Sequence, residues 1–423
     1  MVEFDIEMIM QQQLAQVDSF LDKGDIKKAD VAIAKLLRSS LSAQLRAYTL
    51  LRRARARLLS ARPEEAIDDL LAAQSIVPTD FESPALLELL ADCYFARFEL
   101  ASMGFADRGD RAQAQQIYEH ILEHFPKYDN LGWIHYQLGR ILLASNQTPQ
   151  AVEHFQAALL SPGHISGLTA FCYERLGFIA FYEWRDPEKA LGFLNRAVDT
   201  YPLTSEQGWM VQVHILRSRV LRAMSNYDSA LAAAENALNV AYGSGQENRR
   251  ALAEALLMVG ELLSELDGRE RDVIYHLQQF VQIARRPPGI DVTWSRVYEM
   301  LGNAYFKIGQ YDNAITAYYS VLQFNPDYPW ETSLYYRIAR CYYQQRAYVE
   351  AVDAIHQILK TARSDDHDVS DYRVYDILGS AEFALGHYQK ASDAYLKALQ
   401  LAPGGADNTD KIRTYLELAQ QLI

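Results

Sequence analysis

His120 and His124 stand four residues apart in a run that reads as helix, the spacing at which two imidazoles on one face can share a metal ion. No third ligand lies near them, and Glu119 and Glu123 alternate with them. The segment therefore reads as a solvated helix face, and no metal is expected. Cys93, Cys172 and Cys341 lie far apart without paired spacing, which argues against both a disulfide framework and a metal knuckle. Cys172 and Cys341 sit within apolar helical stretches and are expected to be buried packing thiols. Phosphate binding by a nucleotide loop would need a glycine-rich run ending in Gly-Lys-Ser or Gly-Lys-Thr, and a hydrolase nucleophile turn would need Gly-x-Ser-x-Gly. The sequence contains neither. No catalytic residue and no cofactor is expected, so function has to be sought on binding surfaces.

The balance of charge narrows the partners. The chain of 423 residues has a formal net charge of −13, which disfavours nucleic acid and anionic membranes, since phosphate contact is chiefly the work of Lys and Arg. Hydrophobic residues make up 49%, an ordinary share, and no apolar run approaches the roughly 18 residues needed to span a bilayer. The opening Met1-Val2-Glu3-Phe4-Asp5-Ile6-Glu7 carries acids where a secretory signal would carry Lys or Arg, and with unpaired cysteines this predicts a cytoplasmic protein. Of 27 tyrosines, eleven fall between Tyr298 and Tyr348, a local density that needs a cause.

That cause is a repeat. Gly302, Tyr305, Gly309, Tyr311, Ala314, Tyr318 and Pro326 set a spacing that Gly379, Gly386, Tyr388, Ala391, Tyr395 and Pro403 reproduce 77 residues later. A small residue followed 12 positions later by alanine recurs as Ala54/Ala66, Gly139/Ala151, Ser218/Ala230, Gly302/Ala314, Ala339/Ala351 and Gly379/Ala391, with Val17/Ala29 at the same spacing. Gly177/Ala190 and Gly260/Val273 are one residue longer, and Ala91/Ala114 is eleven longer. Small residues let two antiparallel helices cross closely. The aromatic four positions after the alanine (Tyr118, Phe155, Tyr318, Tyr395) is expected to fill the gap to the next unit. Proline at 78, 126, 162, 202, 326 and 403 ends second helices.

The pattern resembles the tetratricopeptide repeat family over roughly residues 9 to 405, most specifically around Gly302 and Gly379. The resemblance implies an all-α solenoid of about ten helix-turn-helix repeats in a right-handed superhelix. The repeats are placed near 10–43, 47–80, 84–128, 132–165, 170–204, 211–244, 250–289, 295–328, 332–365 and 372–405. Residues 408–423, with Ile412, Tyr415, Leu416, Ala419 and Leu422 at helical spacing, read as a capping helix, so 1–423 is expected to be one solenoid. Departures are Arg53 and Arg57 at packing positions and a poor match through Asp267-Gly268-Arg269-Glu270.

In this family the first helices line the concave surface. Helical spacing then puts Arg296, Glu299, Asn303, Phe306 and Lys307 in the groove, followed by Tyr336, Arg340 and Tyr343, then Arg373 and Asp376. Cations, an Asn and aromatics on adjoining helices suit an extended peptide. Relatives that grip a terminal carboxylate use Lys, Asn and Arg. Asn303 fits that pattern, but Glu299 stands where Lys is expected, which leaves such a clamp incomplete. Arginine recurs directly after the first-helix small residue at Arg55, Arg140, Arg219 and Arg340, a candidate basic groove for an acidic partner segment. The competing expectation is pairing with Glu64, Glu65, Asp68 and Asp69. The 97–108 extension, with Phe98, Leu100, Met103 and Phe105, is a candidate self-association contact unless it folds back over its neighbour. The expected function is a non-catalytic scaffold or adaptor that binds a protein or peptide segment in its groove. The alternative is a ligand- or peptide-sensing regulator whose superhelix tightens on binding.

Overall fold

The computed structural model describes residues 2–39, 41–101, 109–163, 165–202, 207–243, 249–286, 289–361, 371–403, 406 and 408–423. Among these, every regular element is helical. The chain divides into two compact units, Met1–Ser205 and Glu206–Ile423. The first contains the pairs α1 (Val2–Asp22) and α2 (Ile26–Arg38), α3 (Ala43–Leu59) and α4 (Pro63–Gln74), α5 (Pro84–Ala101) and α6 (Asp110–His124), α7 (Leu131–Ala144) and α8 (Thr148–Leu160), and α9 (Leu168–Tyr182) and α10 (Pro187–Thr200). The second contains α11 (Met210–Ala223) and α12 (Tyr227–Gly243), α13 (Arg249–Ser264) and α14 (Glu270–Ile283), α15 (Val292–Lys307) and α16 (Tyr311–Phe324), α17 (Glu331–Gln344) and α18 (Tyr348–Thr361), α19 (Tyr372–Ala384) and α20 (Tyr388–Leu401), and the closing α21 (Thr409–Gln421). Within each unit the second helix of a pair packs against the first helix of the next. No described helix is long and apolar enough to cross a membrane.

Local chemistry sets the helix ends. Asp25, Ser42, Asp186 and Asp291 each accept a backbone N–H three residues ahead, satisfying a donor that the first turn leaves without a partner. Proline begins α4 and α10, where its lost N–H costs nothing. The turn inside a pair always holds one residue in the left-handed region, five positions before the second-helix small residue. Gly24, Gly109, Gly268, Gly309 and Gly386 fill it, but so do Ala61, Asn146, Arg185, Ser225 and Arg346. Asn146 tolerates that conformation, but other side chains cost about 1–2 kcal/mol there, so the flanking helices impose the turn at the remaining four positions.

The pairs are held by contact between a small residue and a ring or branched side chain. A Cβ placed on Gly302 would lie 2.5 Å from the Tyr318 ring, one on Gly379 2.7 Å from Tyr395, and one on Gly139 2.7 Å from Phe155. Gly177 and Gly260 meet Leu194 and Leu277 in the same way. The aromatic four residues after the alanine also reaches the next unit, as the spacing predicts: Tyr118 shares a core with Ile134 and Leu138, Phe155 with Leu168 and Cys172, and Tyr395 with Ile412 and Leu416. Phe155, Tyr318 and Tyr395 lie in addition on the glycine of their own pair, and all four aromatics are essentially fully buried. The cap behaves as expected, with Ile412, Leu416 and Ala419 buried against α20. Cys93, Cys172 and Cys341 are buried and free, and burial pushes each thiol up to about 12.

Arg53 and Arg57 explain their own departure from the pattern. Both bind the buried carboxylate of Asp69 on α4, Arg53 through Nε and Nη2 at 2.8 and 2.6 Å, and Arg57 also meets Glu65. Arg97 holds the buried Asp110 likewise. In the extension, α5 runs on to Ala101, and Phe98 folds back, stacking on Phe95 and packing into the core of α5, α6 and α7. Leu100 is exposed, while Met103 and Phe105 lie outside the described residues.

Gly302→Ala is expected to destabilise the second unit by about 1–3 kcal/mol, because the buried Tyr318 ring has to shift to admit the methyl group. Urea unfolding monitored by tyrosine fluorescence checks the cost, and hydrogen exchange should place the loosening in α15 to α17 while α19 to α21 keep their protection.

Candidate functional site

The first helices of the second unit carry the site. A cleft of about 460 Å³ opens where the ends of α13 and α15 face α17. Its apolar lining comes from Leu263, Leu266, Val273, Met300 and Phe306, and its polar lining from Asn303, Lys307, Arg337, Arg340 and Glu270. Helical spacing explains the grouping, since Met300, Asn303, Ala304 and Lys307 recur at three and four residues along α15.

A hydrogen-bonded chain fixes the polar floor. The Tyr318 hydroxyl donates to Asn303 Oδ1 at 2.9 Å, and Arg337 donates to the same oxygen at 3.0 Å. Arg337 also donates to Glu299 at 2.8 Å, and the Tyr328 hydroxyl donates to Glu299 at 2.8 Å. Burial pushes both phenols well above their usual range. Asn303 thereby has its carbonyl doubly bonded, which orients its amide nitrogen. Lys307 is paired with Asp267 at 3.0 Å and Glu270 at 3.3 Å, and the hydrogen bond to Asp267 leads in raising its pKa. Arg340, by contrast, lies over the rings of Phe306 at 4.7 Å and Tyr336 at 5.9 Å, and no carboxylate among the described residues reaches it.

Of the residues read from the sequence, the cleft collects Asn303, Phe306, Lys307 and Arg340, and Tyr336 adjoins it through Arg340. Arg296 instead turns back to Glu261, and Glu299 serves as the acid that holds Arg337. Tyr343 packs onto Tyr348 and the core of α17 to α19. Arg373 is bound to Asp371 at 2.6 Å and borders Tyr336 at 6.0 Å. Asp376 is half-buried, and desolvation raises its pKa. The sequence reading missed Arg337. Its spacing of three from Arg340 was the available signal, hidden by following the face through Tyr336, Arg340 and Tyr343. In the candidate basic groove, Arg55 pairs with Asp22 at 2.9 Å and Arg140 with Glu99, while Arg219 is exposed on α11.

The first unit repeats this arrangement with different charges. Tyr118, Tyr128, Tyr136, Gln137 and Arg140 stand 200 residues before Tyr318, Tyr328, Tyr336, Arg337 and Arg340. Glu88, Asp92 and Phe95 correspond to Glu299, Asn303 and Phe306. Tyr118 donates to Asp92 as Tyr318 does to Asn303, and Tyr128 donates to Glu88 at 2.7 Å as Tyr328 does to Glu299. Asn130 adds a bond to Glu88 at 2.8 Å, and Trp133 and Gln137 add bonds to Asp92 at 3.2 and 3.1 Å. Asn303 is thus replaced by an acid and Arg337 by a neutral amide. Two carboxyls four residues apart on one helix are left among neutral donors, and the Arg140 charge acts on Asp92. Burial first, and then the neighbouring Asp92, push Glu88 up to about 7, and burial raises Asp92.

The histidines hold no comparable cluster. His120 and His124 are exposed with their rings 4.1 Å apart, and no group of three metal-ligating side chains occurs among the described residues. His135 and His154, not singled out by the sequence, face each other with Nδ1 to Nδ1 at 3.0 Å, and burial holds His135 down to about 4.

Comparison with known proteins agrees with paired helices stacked in series. Residues 295–328 and 372–404 each match the sequence model of the tetratricopeptide repeat. The chain thus carries tetratricopeptide repeats, in the pairs α15–α16 and α19–α20. Among solved structures, it is similar to the apo form of the quorum sensor NprR from B. thuringiensis, with a TM-score of 0.54 and 14% identity over 75% of this chain and 88% of that one. It is also similar to the C-terminal part of a TPR repeat-containing protein from Cytophaga hutchinsonii, with a TM-score of 0.43 and 16% identity over 65% and 95% of the two chains. A third is MamA, with a TM-score of 0.37 and 22% identity over 46% and 92%. No curated protein matches the chain.

The Glu88 site makes a pH dependence measurable. A carboxyl whose folded pKa is raised binds protons more tightly in the folded than in the unfolded state. Its contribution is therefore complete below about 4.5 and is lost as pH rises through about 7. The neighbours that bear on it are Asp92, Tyr118, Tyr128 and Asn130. Unfolding of the first unit, followed by tryptophan fluorescence, should lose on the order of 2 kcal/mol between pH 5 and pH 7.5. Glu88→Gln should flatten that slope, and an unchanged slope would show that the site does not hold its proton.

Proposed function

We propose that this protein is a non-catalytic interaction scaffold that holds an extended segment of a partner protein in the cleft between α13, α15 and α17. The observation that carries the reading is the cleft itself: an apolar floor of Leu263, Val273, Met300 and Phe306 beside Asn303, Arg337 and Arg340. A flat polar surface would give neither the buried apolar contact that supplies affinity nor the fixed donors that set register. Asn303 suits a backbone, because its carbonyl is engaged by Tyr318 and Arg337 and its amide group is left to donate. Arg340 and Tyr336 are of the kinds that dominate interface energetics, and both sit on the same rigid helix. The fold supports the reading by supplying many first-helix side chains on a frame whose own stability lies elsewhere, in the contacts between small residues and rings.

A photo-crosslinking phenylalanine analogue at position 306 should capture one discrete partner in native extract. The same analogue at Tyr319, exposed on the second helix α16, should capture none of it. Met300→Arg, which puts a charge into the apolar lining, should reduce the capture from position 306 at least tenfold, an effect of about 1.4 kcal/mol. Equal capture from both positions, insensitive to Met300→Arg, would place the binding surface elsewhere.

A further inference from the structure

The two polar sites share a plan, and one of them contains its own ligand. In the first unit the Arg140 guanidinium lies 4.8 Å over Phe95 and 5.7 Å over Tyr136, and its Nη2 donates to the carboxylate of Glu99. In the second unit Arg340 lies over Phe306 and Tyr336 at 4.7 and 5.9 Å. The ring distances agree to within a few tenths of an ångström, and Arg140 donates in addition to Gln137 Oε1 at 2.8 Å, where the second unit has Arg337. The occupants differ. Helix α5 continues to Ala101 and so carries Glu99 over Arg140, whereas α15 stops at Lys307 and the corresponding position, Gln310, falls at the turn with no charge to offer.

The other cations around the cleft are already engaged. Lys307 has Asp267 and Glu270, Arg337 has Glu299, Arg296 has Glu261, and Arg373 has Asp371. Arg340 is exposed and rests on two rings, and no carboxylate among the described residues pairs with it. A guanidinium resting on aromatic faces turns its N–H edge outward, in the geometry that takes a carboxylate through two parallel bonds. Glu270 and Glu299 beside the cleft weigh against a doubly charged phosphate and favour a single carboxylate.

We infer that Arg340 is the docking point for an Asp or Glu side chain of the partner segment, seated as Glu99 is seated on Arg140, with a neighbouring apolar side chain entering the cleft lined by Leu263, Val273 and Met300. This rests on the cleft being the binding surface and adds the chemistry of what it selects. Arg140 serves as an internal control, since its carboxylate comes from its own chain.

The test uses the full-length protein and a phage-displayed library of random dodecapeptides. Selected peptides should be enriched in Asp or Glu near Leu, Ile, Met or Phe. One of them is then synthesised with an amidated C-terminus, so that only side-chain carboxylates remain, and measured by fluorescence anisotropy. Changing its acid to the amide, or Arg340→Gln in the protein, should each weaken binding roughly tenfold. The two changes together should weaken it no more than either alone, and Arg140→Gln should leave it unchanged. Additive losses, selection without acidic residues, or a library that yields no binder would overturn the assignment. Met300→Arg separates the two readings. If it abolishes binding while the acid-to-amide change does nothing, the cleft binds but Arg340 does not select a carboxylate. If Met300→Arg has no effect, the cleft reading falls as well.

Discussion

Everything in this molecule depends on how closely two antiparallel helices can approach. At Gly139, Gly302 and Gly379 the approach is so close that a methyl group would overlap an aromatic ring on the facing helix. Five separate pairs meet a glycine in this way, each with a different partner of fitting shape: Phe155, Leu194, Leu277, Tyr318 and Tyr395. Packing at interior density tolerates no gap at such a crossing, so the residue that lies on the glycine is fixed by volume first and chemistry second. The left-handed turn five residues before the second-helix small residue serves the same crossing by returning the chain at the required angle.

The crossing also reaches the groove. Where the core residue is tyrosine, its hydroxyl emerges beside the first-helix position that follows the small residue, and that position holds an acceptor: Asp92 for Tyr118, Asn303 for Tyr318 and Ser380 for Tyr395. Where the core residue has no hydroxyl the same position varies: it carries Arg55, Arg140 and Arg340 at Leu70, Phe155 and Ile355, but Asp18, Phe178 and Glu261 at Ile33, Leu194 and Leu277. The reason for the acceptor beside tyrosine is the cost of leaving a buried phenol without a partner. Groove chemistry in this chain is thus partly dictated from inside the repeat. The charge of the first-unit site follows from choosing Asp92 as acceptor, and that of the second from choosing Asn303 and adding Arg337.

Much of this was legible in the residues alone. The glycine and alanine spacing locates the helix pairs, and helical periodicity picks out Asn303, Phe306, Lys307 and Arg340. The turns were legible only where glycine marks them. Ala61, Arg185, Ser225 and Arg346 take the same backbone conformation because flanking helices impose it, and no local preference announces that. Charge pairing was hidden for a different reason. The acids that engage Arg52, Arg55, Arg140, Arg296 and Lys307 lie 33 to 41 residues earlier, one repeat back on the neighbouring first helix or, for Asp267, in the turn after it. A window of one helix cannot see them, so cations that looked available in sequence are mostly spent within the fold. Searching for opposite charges one repeat apart would have found them.

The link between phenol and groove bears on how such a surface can change over time. Asn303 cannot drift freely to a hydrophobic residue, because Tyr318 would lose its acceptor. Nor can Tyr318 drift to leucine without leaving the Asn303 carbonyl to Arg337 alone, with one of its two acceptor positions open to the groove. Substitutions at the two positions should be inherited as couples, and a designer who wants a new specificity at this site has to edit the interior and the surface in the same step.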